Sequence, residues 1–191
     1  MVILSVIDTE TTGLGIFNRG CPCHDDHAIS LGMVIADVDV DTRNIKCLDS
    51  MYSLICIPDP SRAEDTYMIH GIRSEEIEKA PSPAEVCEIF LGMRERYGFQ
   101  YAGAWNHEFD KYFIRRTFKL SGLKKPALNW VEMQPRKFAK LDHYVSSVIY
   151  PEIKGLAGHN ALNDCLRALG VYATLGGMEL DMSLLKGKAL P

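Results

Sequence analysis

The chain has 191 residues, 21 Lys and Arg against 25 Asp and Glu, and 47% apolar side chains, which places it with ordinary globular proteins and excludes a disordered or fibrous chain. A chain of that length buries most of the surface its unfolded form exposes, so a single domain over residues 1–191, with 179–191 set apart as a candidate tail, is expected without a disulfide framework or structural metal. The formal charge of −4 argues against holding nucleic acid by bulk positive charge and leaves only local attraction.

Val2 to Ile7 is almost continuously apolar and β-branched, the pattern of a strand buried on both faces, and Thr11 to Gly13 are expected to turn it. Residues 28–38 and 45–57 are strand-like and separated by the polar run Asp39 to Asn44, which predicts a three-strand antiparallel meander closed by Pro58 and Pro60. A short helix is expected over Ser74 to Lys79 with Ser74 as its N-cap, and Pro83 opens a longer one to about Tyr97, with Val86, Ile89, Phe90 and Met93 at helical spacing. Residues 100–105 read as a strand. Phe109, Tyr112, Phe113, Arg116 and Leu120 mark the amphipathic helix that follows. A short strand near 128–131, a helix over about 135–148, a loop at 151–158 and a last helix from 160 to about 175 complete the order. Strands first and strand–helix alternation afterwards predict an α/β fold, a mixed sheet flanked by helices.

The charge is unevenly placed. Residues 111–140 hold nine bases and one acid, Glu132, so this stretch carries +8 and the other 161 residues sum to −12. Such a segment is either a solvated helix face or a rim that tracks phosphates beside an acidic site. The six cysteines, at 21, 23, 47, 56, 87 and 165, form no CxxC pair, and the N-terminus has no secretory layout, so a reducing, cytoplasmic compartment is expected. The apolar opening lacks a basic flank, is too short to span a bilayer and runs into Asp8 and Glu10, so no membrane segment is expected.

Asp8 and Glu10 lie two apart at the end of the first strand, whose period of two turns both carboxylates to one side. Like charges at close range trap a proton or bind a cation, and oxygen-only ligands select a hard ion such as Mg²⁺ or Mn²⁺. Asp110, in Asn106-His107-Glu108-Phe109-Asp110, stands in the first turn of a helix after a strand, where an acid also complements the helix dipole. His159 and Asp164, in His159-Asn160-Ala161-Leu162-Asn163-Asp164, are five apart; a regular helix would splay them, so His159 is expected on the preceding loop, swung over the carboxylate.

These motifs, with Asp8-Thr9-Glu10-Thr11-Thr12-Gly13-Leu14 as the first and Ile69-His70-Gly71-Ile72 as a fourth match, resemble the histidine-bearing (DEDDh) branch of the DEDD 3′-to-5′ exonucleases over nearly the whole chain. The resemblance implies a ribonuclease H-like fold, with three antiparallel strands joined by parallel ones. It implies that Asp8, Glu10, Asp110 and Asp164 hold two divalent cations, Mg²⁺ or Mn²⁺, with Asp8 bridging them. His159 would be the general base that deprotonates an attacking water, and the product would be a nucleoside 5′-monophosphate. The resemblance assigns the backbone around Thr11 and Thr12 to the terminal 3′ hydroxyl and Leu14 to a wedge against the last base, while Asn106 and, from the basic segment, Arg115 and Arg116 are expected to contact substrate. Single-stranded or frayed 3′ ends are the expected partner, DNA favoured over RNA. The competing expectations are an RNA-trimming, oligoribonuclease-like enzyme, or a non-catalytic subunit associated with a polymerase or other replication protein.

Trp105 and Glu132 depart from the family pattern without touching the five core positions. Cys21, Cys23, His24 and His27 lack zinc-finger spacing, and their loop is expected to overhang the site and shape access. His107-Glu108 lacks the second histidine of a zinc-protease motif, since position 111 is Lys. His70 is expected as a turn-stabilising core residue, His143 on a helix surface, and Trp105 and Trp130 in packing.

Overall fold

The computed structural model describes residues 1–20 and 22–185. Strand β1 (Val2–Thr11) is central and carries both acids at its end, as expected. It pairs antiparallel with β2 (Ala28–Asp39), which pairs antiparallel with β3 (Asn44–Leu54). After a 3₁₀ segment at Pro60–Thr66 come two short helices, α1 (Tyr67–His70) and α2 (Ser74–Glu78), then α3 (Pro83–Tyr97). Strand β4 (Tyr101–Ala104) lies parallel to β1; α4 (His107–Ser121) follows, and β5 (Asn129–Glu132) lies parallel to β4. The chain then forms α5 (Leu141–Val145), α6 (Pro151–Lys154), α7 (Ala161–Gly176) and β6 (Glu179–Asp181). The sheet order is β5-β4-β1-β2-β3-β6, the expected mixed α/β architecture of three antiparallel strands extended by parallel ones.

Strand alternation divides the core. Ile7, Leu31, Met33 and Ile35 face Phe90 of α3 and Phe113 and Phe118 of α4. Leu4, Val6, Val34 and Ala36 face Leu162, Cys165, Leu166 and Leu169 of α7 on the other side. Asp8 and Glu10 share the even-numbered face with Val6, so β1 aims both carboxylates toward α7.

Three local expectations are corrected. Arg73, not Ser74, stands at the N-cap of α2, because the Glu76 carboxylate takes the Arg73 N–H at 2.9 Å while the Ser74 N–H goes to Glu64. The helix expected over 135–148 shrinks to α5: Phe138 adopts a left-handed φ of 64°, and the Ala139 carbonyl is taken by Trp105 Nε1 and Gln134 Nε2. The loop expected at 151–158 contains α6, started by Pro151 at its first position. The candidate tail begins inside the sheet, since Glu179–Asp181 pairs with Asn44–Lys46; its residues 186–191 lie outside the described residues. No described helix is long and apolar enough to cross a membrane.

Candidate active site

The carboxylates of Asp8, Glu10 and Asp164 offer oxygens that all lie within 4.8 Å of one another. Two close approaches create this arrangement. Asp8 pairs in register with Gly32 of β2, and a Cβ at Gly32 would stand 2.3 Å from the Ala161 carbonyl carbon, so glycine there lets the start of α7 lie directly on the sheet. The Asn160 side chain caps α7 by accepting the Asn163 N–H at 3.1 Å, which sets Asp164 in the first turn.

Asp110 arrives from the other side. It is buried, and its carboxylate accepts the Thr9 hydroxyl at 2.9 Å beside the three-carboxylate cluster. Thr9 on the odd-numbered face of β1 and the first turn of α4 set its position. It acts on its neighbours. Burial first, then the charges of Asp110, Asp164 and Glu10, drive the Asp8 carboxyl well above its ordinary range. Burial and Asp164 push Glu10 up to about 7, and burial pushes Asp110 up to about 8 despite the Thr9 hydrogen bond. Burial also raises Asp164, opposed by Arg167.

Carboxylates held in proton-trapping proximity, Glu10 buried and Asp8 and Asp164 half-buried, suit a hard divalent cation, which replaces the shared protons and relieves the repulsion. Part of the offset already comes from Arg167, a buried cation paired with both Asp164 and Asp142. Only its position three after Asp164, on the same helix face, hinted at this in the sequence.

His159 is on the loop before α7, as expected, with a left-handed φ of 60°, and its backbone N–H donates to Asp164 Oδ2 at 2.9 Å. Its exposed side chain lines a cavity of about 360 Å³ together with Trp105, Lys140, Asp142, Asp164 and Arg167. On the other flank a cavity of about 300 Å³ is bounded by Glu10, Thr11, Leu14, Thr66, Ile69, His70 and Phe109. Thr11 and Leu14 therefore face this space. Thr12 does not: it is buried, its N–H donates to the His27 carbonyl and its hydroxyl accepts the His27 N–H, both at 3.0 Å.

His70 is half-buried on the cavity wall rather than in the core. Its Nδ1 accepts the Ile72 N–H at 2.9 Å, so Nε2 carries the proton and faces Thr66 Oγ1 at 2.9 Å, and that hydroxyl donates to the Thr11 carbonyl at 2.7 Å. This relay ties the end of β1 to the Ile69–Ile72 turn. Burial lowers the His70 pKa, in keeping with a neutral ring.

Asn106 takes a left-handed φ of 77°, and its N–H donates to Glu132, which also accepts from Gln134 N–H and contacts His107 Nδ1 at 3.1 Å. Arg115 and Arg116 lie farther along α4, flanking the Tyr112 ring at 5.7 and 5.9 Å. Trp105 packs against Tyr144, Trp130 against the α3–α4 core, and His143 is exposed. In the 16–27 loop Cys21 lies outside the described residues; Cys23 faces the Arg62 guanidinium, and Arg62 pairs with buried Asp26 at 2.7 Å.

A ribonuclease H-like mixed sheet carrying carboxylates on its central strand and on two helices defines the DEDD-type 3′-to-5′ exonucleases. A 3′-exonuclease solved at full length superimposes with a TM-score of 0.68 at 17% identity over 93% of this chain and 62% of that one. A 3′-exonuclease solved in specific recognition of the 3′ end of a histone mRNA stem-loop gives 0.68 at 17% identity, covering 92% and 82% of the two chains. E. coli exonuclease I in complex with a dA16 oligonucleotide gives 0.65 at 12% identity, covering 93% and 41%. The chain thus spans less than two thirds of the first and third of these proteins. No curated protein matches it by sequence. The sequence profile of the RNase T-type family, described as "Exonuclease", matches residues 5–172, and the chain belongs to that exonuclease family.

Proposed function

We propose that this nucleic-acid 3′ exonuclease is a metal-dependent enzyme of the histidine-bearing branch that removes nucleoside 5′-monophosphates from 3′ ends, with DNA favoured. The observation that carries this is the convergence of Asp8, Glu10 and Asp164 within 4.8 Å, with buried Asp110 beside them and His159 at the rim. Asp8, Glu10, Asp110 and Asp164 would hold two divalent cations, Mg²⁺ or Mn²⁺. Bound there, the cations supply Lewis acidity toward the phosphodiester and its attacking water.

The chain's own residues supply the rest. His159, anchored through its N–H to Asp164, presents an exposed imidazole as proton acceptor beside the carboxylates. The 300 Å³ cavity beside Glu10 takes the terminal nucleoside, with Thr11 toward its 3′ hydroxyl and the exposed Leu14 and Ile69 against the base. An internal phosphodiester offers no free 3′ hydroxyl there and would leave polar groups unpaired, which selects chain ends.

Digestion of 3′-labelled and 5′-labelled DNA and RNA oligonucleotides with Mg²⁺, Mn²⁺ or EDTA tests this. Stepwise shortening from the 3′ end, faster on DNA and abolished by EDTA, is expected. Equal or faster digestion of RNA would overturn the DNA preference, and no shortening of either polymer would overturn the catalytic assignment.

A further inference from the structure

The basic segment does not act as one surface. Lys140, in the loop before α5, borders the His159 cavity, whereas the bases of α4 and Lys125 converge on a groove roofed by the Gly15–Phe17 turn. Two cavities lie along it. The first, about 260 Å³, is bounded by Phe17, Lys111, Arg115 and Lys125, with Glu108 holding Lys111 at 3.0 Å. The second, about 510 Å³, is bounded by Ile16, His24, Tyr112, Arg115, Arg116 and Lys119, with no acidic residue among them. Arg115, Tyr112 and Ile16 border both.

Tyr112 and Arg116 line the second cavity. The Tyr112 hydroxyl and Arg116 Nε are buried and find no hydrogen-bond partner among the described residues, and Tyr112 as a whole is 7% exposed. A phosphate seated in the second cavity meets the cationic side chains of Arg115, Arg116 and Lys119, and charge-assisted hydrogen bonds to an anion are the strong ones. Burial, then the charges of Lys111 and Arg115, lowers the Lys125 pKa, a sign of cations crowded without sufficient counter-charge.

The groove adjoins the terminal-nucleoside cavity across the Phe17–Phe109 ring pair. Phe109 borders that cavity, its ring lies 5.7 Å from Phe17, and Phe17 borders the first basic cavity. Arg115 follows Asp110 by five residues on α4, a rise of about 7.5 Å along the helix. We propose that the two cavities seat successive backbone phosphates on the 5′ side of the strand whose 3′ end enters the active site, with Arg115 between them and Phe17 and Ile16 against the bases. This rests on the exonuclease function proposed above and makes the substrate class a polynucleotide single strand rather than a dinucleotide.

Fluorescence anisotropy on the full chain in EDTA isolates the groove, using a labelled thymidine dinucleotide and an oligothymidylate of about six nucleotides. The longer strand is expected to bind much more tightly. Arg115→Gln with Lys125→Gln should weaken it by on the order of tenfold and shrink the salt slope by about 1.4, the share of two phosphates on a single strand. Lys46→Gln with Lys79→Gln, which removes the same charge elsewhere, should change neither. Equal weakening by both pairs, or an unchanged affinity and slope in the first, would overturn the groove. Should the double variant fail to fold, Lys119→Gln reads the second cavity alone, with a slope change of about 0.7 expected and none overturning it. Wild-type digestion is scored separately: length-dependent binding without 3′ shortening sinks the exonuclease function and leaves the groove, while shortening with unaltered variant binding does the reverse.

Discussion

Asp8 carries the largest burden of any single side chain, since its carboxyl feels Asp110, Asp164 and Glu10 together. Asp8→Ala is expected to lower turnover with Mg²⁺ by on the order of 10³-fold or more, because several kcal/mol of transition-state stabilisation depend on the cations it would hold. Full turnover by that variant would sink the metal assignment. His159 is different in kind: it contacts the cluster through its backbone N–H, which any residue supplies. His159→Ala should lose about 10²- to 10⁴-fold in kcat yet keep the thermal stabilisation that Mn²⁺ confers on the wild type. Loss of that stabilisation as well would make the histidine structural rather than catalytic.

At the scale of elements, the seating of α7 on the sheet decides whether the acids meet. Gly32 allows contact with Ala161 at a distance no Cβ tolerates, so Gly32→Val should cost about 1–3 kcal/mol by overpacking and depress activity by moving Asp164. A melting temperature and kcat equal to wild type would show that α7 has room to spare. Asn160→Ala removes the cap of the same helix and should cost about 1 kcal/mol, read by denaturant unfolding. The sequence rules worked best here, since α3 and α7 announce themselves through Pro83, Asn160 and their apolar stripes. They failed over 135–148, where periodicity favours helix and the Trp105 and Gln134 bonds to Ala139 favour a loop.

For the whole molecule, the buried acids link stability to pH and cations. Glu10 near pKa 7 and Asp110 near 8 hold protons in the folded state that the unfolded chain releases near its ordinary values of 4.5 and 3.8. The folded state therefore binds more protons between these limits, and stability falls as pH rises from about 4 to about 8. In EDTA the melting temperature should drop between pH 5 and pH 8, and Mg²⁺ or Mn²⁺ should raise it more at pH 8, where the ligands are deprotonated. A melting temperature that climbs over this range without cation would contradict the raised carboxyl pKa values.

Backbone periodicity makes part of the site legible from the residues: Asp8 and Glu10 on one face of a strand, Asp110 and Asp164 in first helical turns, and the apolar stripes that turn α4 and α7 to the sheet. It also places His159 before its helix rather than within it. Which groups meet across the chain is a matter of packing. Thr9 bonds Asp110, Arg167 offsets Asp164, His70 ties Thr66 to Thr11, β6 pairs with β3, and the bases divide between two sides of the site. These contacts join segments whose local patterns carry no trace of one another, and packing at close range selects among them.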